Sequence, residues 1–162
     1  MALTPKACIV AGRFVGAKAM VEFAYGCGDV DPAGLTFFPV MSLTSKSNSD
    51  SIQTTGTRTD SDDGAYTPTF MTGAEGSFQF DGIVDVTDTN VINLRLQLKA
   101  NQNANEGLYG YVRITEPTGG VTETQFCLVN QFDVNYDTES ESTFSLGLTK
   151  QSSAFNSAEL TP

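Results

Sequence analysis

The stretch Val121–Tyr136, "VTETQFCLVNQFDVNY", constrains the fold more than any other part of the chain. In an extended chain successive side chains point to opposite faces. Phe126, Leu128, Phe132, Val134 and Tyr136 then share one face, and Gln125, Gln131, Asp133 and Asn135 share the other. These sixteen residues would span roughly 50 Å at about 3.3 Å each, well beyond the usual strand of about five or six residues. "GLYGYVRITEP" precedes this run across the turn signal "PTGG", which predicts a hairpin. "ESESTFSLGLTKQS" follows, with Phe144, Leu146 and Leu148 alternating against Ser145, Gly147 and Thr149. The last third of the chain therefore reads as antiparallel strands.

Earlier segments repeat the pattern. Val21, Phe23 and Tyr25 alternate in "AMVEFAYGCGDV", "DPAG" is a turn, and "LTFFPVMSL" reads as a second strand that Pro39 confines to an edge or a bulge. "GSFQFDGIV" alternates again through Phe78 and Phe80. Between Thr87 and Gly107 two periods compete. Ile92, Leu94, Leu96 and Leu98 alternate as in a strand, yet with Val91 they also form a broad stripe at helical spacing. Thr87 or Asp88 can cap its start, Gly107 can stop it, and Leu, Arg, Gln, Lys and Ala favour helix, so the expectation is a helix over 88–102. At 162 residues with 40% hydrophobic side chains the chain has enough apolar material for one ordinary core.

The charge is uneven. Nineteen acids against nine bases give −10, and fifteen of the acids lie from Ser51 onward. Such a surface repels nucleic acid and anionic membrane at long range. Cys8, Cys27 and Cys127 are too few for a disulfide framework and read as free thiols in a reducing compartment. No signal peptide or membrane span is expected from the N-terminal "MALTPKACIVAGRFVGAKAM", whose short apolar run is broken by Arg13 and Lys18.

Thr44–Pro68 is the conspicuous polar segment, expected to be a long loop, and loops of that length usually bind something or stay mobile. Its "DSDDG" invites a calcium reading, but Gly64 stands at the third ligand place and no Glu closes the loop. Without histidine there is no Ser–His or Cys–His activation and no ordinary zinc set. No phosphate-binding glycine loop occurs, and no carboxylate pair stands out for glycosidic chemistry. The expectation is a protein that is not an enzyme and has neither metal nor cofactor. A sugar-binding β-sandwich remains a rival, with Tyr66, Tyr109 and Tyr111 as its candidate platform.

The order of pieces resembles the major tail tube proteins of long-tailed bacteriophages with non-contractile tails. The resemblance runs from about Met20 to Ser152: "LTFFPVMSL", a Ser/Thr-rich arm with "TRTDSDDGAYTPTFMTG", "GSFQFDGIV", a helix, and strands joined by "TEPTGG". It implies a mainly β fold, a β-sandwich or small barrel of two packed antiparallel sheets with one flanking α-helix and a long extended loop. The implied layout is an N-terminal arm over 1–19, a β domain over 20–152 containing an inter-subunit loop at 44–68, and a C-terminal tail over 153–162. The implied function is structural: hexameric rings stacking into a hollow tail tube that delivers the genome. The architecture is shared with ring proteins of type VI systems and with tail hub proteins.

The partners so implied are the chain itself, tape-measure, tail terminator and distal tail or baseplate proteins, and DNA in passage without specific binding or membrane insertion. The place is the virion tail, assembled in the host cytoplasm. The loop residues expected to serve assembly are Ser47, Asp50, Arg58, Asp60, Asp62, Asp63, Gly64 and Tyr66, with Arg13, Lys18, Arg95 and Lys99 as candidate counter-charges. Gln125, Gln131, Asp133 and Asn135 form the candidate lumen-facing strand face. The alternatives are a monomeric or small-oligomer β-sandwich module binding a sugar or receptor, and a virion decoration protein.

Overall fold

The computed structural model describes residues 15–56 and 69–162. Its strands are β1 (Met20–Tyr25), β2 (Phe38–Pro39), β3 (Leu43–Gly56), β4 (Thr69–Ile83), β5 (Leu108–Thr115), β6 (Val121–Asn135), β7 (Thr143–Lys150) and β8 (Ser157–Leu160). One helix, α1 (Thr89–Asn103), lies between β4 and β5. All strand pairs are antiparallel, and the hydrogen-bonded path runs β2-β1-β5-β6-β7-β4-β3, with β8 beside β6.

The connectivity forces this sheet to curl. β2 and β3 stand at opposite ends of the path, roughly 29 Å apart in a flat sheet at about 4.8 Å per strand. Only Val40–Ser42 connects them, a link that spans at most about 15 Å. The ends must therefore approach one another, and the two layers expected from sequence are two wings of one continuous sheet. One wing is β2-β1-β5 with the first half of β6; the other is the second half of β6 with β7, β4 and β3. Ser42 turns the corner at φ 61°, its carbonyl accepting from the amide of Ile83 at 2.9 Å.

Both wings feed one core. Val21 and Phe23 from β1, Val112 from β5, Phe78 and Phe80 from β4, and Phe144, Leu146 and Leu148 from β7 are buried together with Val91, Leu94 and Leu98 of α1. In the contest between periods at 91–98 the helix wins, because i, i+3 and i+7 positions cover the core while Leu96 faces out. The helix does not stop at Gly107. Asn105, at φ 55°, ends it: its amide donates to Gln102 O at 3.0 Å and that of Glu106 to Asn101 O at 2.9 Å, the paired bonds of a Schellman cap.

Four sequence expectations change. "LTFFPVMSL" is not one strand but the short edge β2 followed by a corner and the start of β3. Residues 44–56 are not loop: β3 pairs with β4 from Leu43↔Gly82 to Gly56↔Thr69. The tail over 153–162 contains a strand that the sequence did not suggest, β8, which pairs with Val121–Thr124. Finally, β6 does not keep one apolar face. A register shift between Val129 and Gln131 inserts Asn130 as a bulge, so the core-side residues run Cys127, Val129, then Phe132 and Val134.

Candidate functional site

Two surfaces set this molecule apart, and β3 and β4 build both. β7 pairs with β4 only over Ser77–Ile83. Beyond that point Asp50–Gly56 and Thr69–Gly76 continue as a two-stranded ribbon with no third strand among the described residues, roughly 25 Å long at about 3.3 Å per residue. On its core-continuing side lie Ile52, opposite Ala74, and Met71, opposite Thr54. Ile52 is 65% exposed and Met71 67%. Phe70, on the other side, is 68% exposed. An isolated hairpin is marginal in water, and exposed apolar side chains with open strand edges are the material of a docking surface.

The ribbon is fixed at its base. Lys150 Nζ, on a side chain only 7% exposed, donates to Asn48 Oδ1 at 2.6 Å, Asp50 Oδ1 at 2.7 Å and Glu123 Oε1 at 3.0 Å. It also sits 4.5 Å from the centre of the Phe78 ring. Asn48 Nδ2 donates to Glu123 Oε2 at 2.8 Å. This cluster ties β3 to β6 and β7 where the ribbon leaves the body. Gly76 makes room for it, because a Cβ there would lie 2.6 Å from Lys150 Cδ, 2.7 Å from Asp50 Oδ1 and 2.9 Å from Ser49 O.

The second surface is the outward side of the β6-β7-β4-β3 wing. Cross-strand register aligns Asp133, Ser145, Asp81 and Ser45 in one row, and Gln131, Gly147, Gln79 and Ser47 in the next. Thr149, Ser77 and Ser49 form a third. Only carboxylates carry charge in these rows. Asp81 Oδ1 accepts from the hydroxyl of Ser145 and from Gln79 Nε2 at 3.4 Å, and Gln131 Nε2 donates to Asp133. Leu128 and Ile83 bound the patch.

Of the strand-face residues expected together, Gln131, Asp133 and Asn135 do share this side. Gln125 does not. It stands opposite Val112, on the core side before the bulge, and donates from Nε2 to Gln151 O at 2.9 Å. Of the expected loop residues, Ser47 lies in the polar rows and Asp50 in the Lys150 cluster. Arg58, Asp60, Asp62, Asp63, Gly64 and Tyr66 lie outside the described residues. The sequence reading missed β3 because no apolar pattern marks it. The signal was serine at every second position from Ser45 to Ser51, alternating with Lys46, Asn48 and Asp50.

The remaining candidates resolve into structure. Tyr111 is fully buried, its hydroxyl donating to Val30 O at 3.0 Å or Gly28 O at 3.2 Å and lying 3.0 Å from Ser153 Oγ. Tyr109 stacks on Phe126 with centroids 5.6 Å apart. The two do not make an open sugar platform. Burial pushes the Cys127 thiol up to about 12, offset in part by Lys150, so it is no nucleophile. Hydrogen bonds from Thr87, side chain first and then backbone, hold the Asp85 carboxyl below its ordinary range. Among the described residues no His, Cys, Asp and Glu gather in a group that could hold a metal ion, and no helix is long and apolar enough to cross a membrane.

No protein-family profile and no curated protein matches the chain. Solved structures do. A chain from the tail of an empty gene transfer agent particle, refined with C6 symmetry, superposes with a TM-score of 0.64 at 12% identity, over 93% of this chain and 100% of the other. A chain of the anti-feeding prophage baseplate, 6-fold symmetrised, gives 0.64 at 13% identity, over 93% and 97%. The SPP1 tail tube chain gives 0.60 at 8% identity, over 92% and 80%. This chain is thus similar in fold, across nearly its whole length, to subunits of phage-type tails and tail tubes.

Proposed function

We propose that this protein is a structural subunit of a virion tail tube, whose copies close into hexameric rings and stack into a hollow conduit for the genome. The observation that carries the reading is the unpartnered ribbon Asp50–Gly56 with Thr69–Gly76, which holds Ile52 and Met71 in water on a fold shared with tail subunits. Its apolar side docks on a neighbouring copy. Head-to-tail contacts of this kind generate rings when the rotation closes and filaments along an axis when it does not. The polar rows with Asp81 and Asp133 serve as the lumen wall, where the carboxylates repel phosphates and no Lys or Arg stands to pair with them. The subunit works in the tail after assembly in the host cytoplasm. Tape-measure, tail terminator and distal tail proteins are its other partners, and it performs no chemistry.

Negative-stain microscopy and light scattering of concentrated protein test this. Rings or tubes are expected from the natural chain, and folded monomers from the I52S/M71S variant. A natural chain that stays monomeric at every concentration would overturn the reading.

A further inference from the structure

At the seam where the two ends of the curled sheet approach, an open groove of about 520 Å³ runs between β1, the β2 corner and the start of β3. Its lining is largely apolar: Met20, Val21, Pro39, Val40, Met41 and Leu43. Met41 is 61% exposed and Met20 53%, so the rim presents two flexible thioethers to water. Three charged side chains line the groove, Lys18, Glu22 and Lys46, and the last two are engaged. Lys46 Nζ donates to Ala19 O at 2.6 Å and Gly16 O at 3.0 Å, and Glu22 pairs with Arg113.

We propose that the chain's own N-terminal segment, residues 1–14, occupies this groove. The place where the described chain begins carries the argument. The single turn Gly16–Lys18 forms one wall of the groove, and Lys46 clamps that turn from both ends. Whatever precedes Val15 therefore starts at the groove's rim. Fourteen residues can reach up to roughly 46 Å at about 3.3 Å each, several times what the groove needs.

The chemistry of the segment fits as well. Leu3, Ile9, Val10 and Phe14 are apolar, matching the groove floor. The segment carries Lys6 and Arg13 but none of the nineteen acids, so the acidic remainder of the chain favours its staying near the body at long range, while the match to the groove itself is apolar. Seating it covers Met20 and Met41 and closes the seam that the short β2 leaves thin.

The native Cys8 supplies the test. In a C27S background, cysteine is introduced at Met41 (M41C) or, as the control, at Glu106 (E106C). Glu106 is exposed and lies past Gly110, the residue opposite Tyr25, at the far end of β1 from Met20. Mild oxidation of mixed 15N-labelled and unlabelled chains, followed by mass spectrometry of the linked peptides, reads both rate and pairing. Seating predicts that Cys8 couples to M41C at least about tenfold faster than to E106C, as a raised effective concentration requires. The linked peptides should be isotopically uniform, from one chain. Equal rates, or linked peptides of mixed isotope, would overturn the proposal; the mixed result would mean that a second copy's segment fills the groove. Either result is independent of whether tubes form.

Discussion

Lys150 decides which way the ribbon points. Its ammonium is nearly withdrawn from water and holds two partners on β3 and one on β6. The Asp50 carboxylate is itself mostly exposed, so that pair alone adds little; the partly buried Glu123 matters more. K150M leaves Glu123 without its cation and should lower stability by about 1–3 kcal/mol in urea melts. K150R should restore part of the loss. G76V should cost more, because Ser49 O belongs to the backbone and cannot swing aside.

Cys127 gives a second residue-scale expectation. With its folded pKa at about 12 and an unfolded thiol near 8.5, its contribution is fully present below about pH 8.5. It is lost as pH rises toward 12, because the unfolded chain releases that proton first. Iodoacetamide at pH 8.5 should therefore label exposed Cys27 while sparing Cys127 until urea unfolds the chain. Labelling of Cys127 in the native protein would contradict its burial.

At the scale of elements, α1 and β6 show how much of the fold could be read in advance. The helix was legible because Val91, Leu94 and Leu98 repeat at helical spacing, although the strict alternation of Ile92, Leu94, Leu96 and Leu98 argued otherwise. L94A and L96A separate the two periods. Leu94 is fully buried and its truncation should cost about 2–5 kcal/mol, whereas Leu96 is 62% exposed and its truncation should change the urea midpoint little. A strand would have made them alike. The stop was less legible, since Asn105 takes a backbone conformation for which Gly107 looked the better candidate.

In β6 the length was read correctly from alternation, but the bulge at Asn130 leaves no mark in a pattern of residue types. It moves Gln125 off the side shared by Gln131, Asp133 and Asn135. β3 was illegible for a different reason. Its side chains are exposed along nearly its whole length, so burial never imposed the apolar period that reveals a strand.

For the whole molecule, the proposed direction of the polar wing makes a prediction that the fold by itself does not. Curling puts the apolar side of the β6-β7-β4-β3 wing against the core and leaves the Asp133-Ser145-Asp81-Ser45 and Gln131-Gly147-Gln79-Ser47 rows facing away. In a tube those rows face either the conduit or the medium. Size-selective labelling distinguishes the two. Q131C, in a background with Cys8 and Cys27 both replaced by serine, should react with a small maleimide whether the protein is dispersed or assembled, because a small reagent enters an open tube. A maleimide on a polymer chain too wide for the bore should label dispersed subunits fully and assembled tubes only near their ends. The protected fraction should then grow with tube length, which microscopy of the same samples measures. Uniform polymer labelling along intact tubes would place these rows outside, and the acids would then act through solubility instead of by keeping DNA from adhering to the wall.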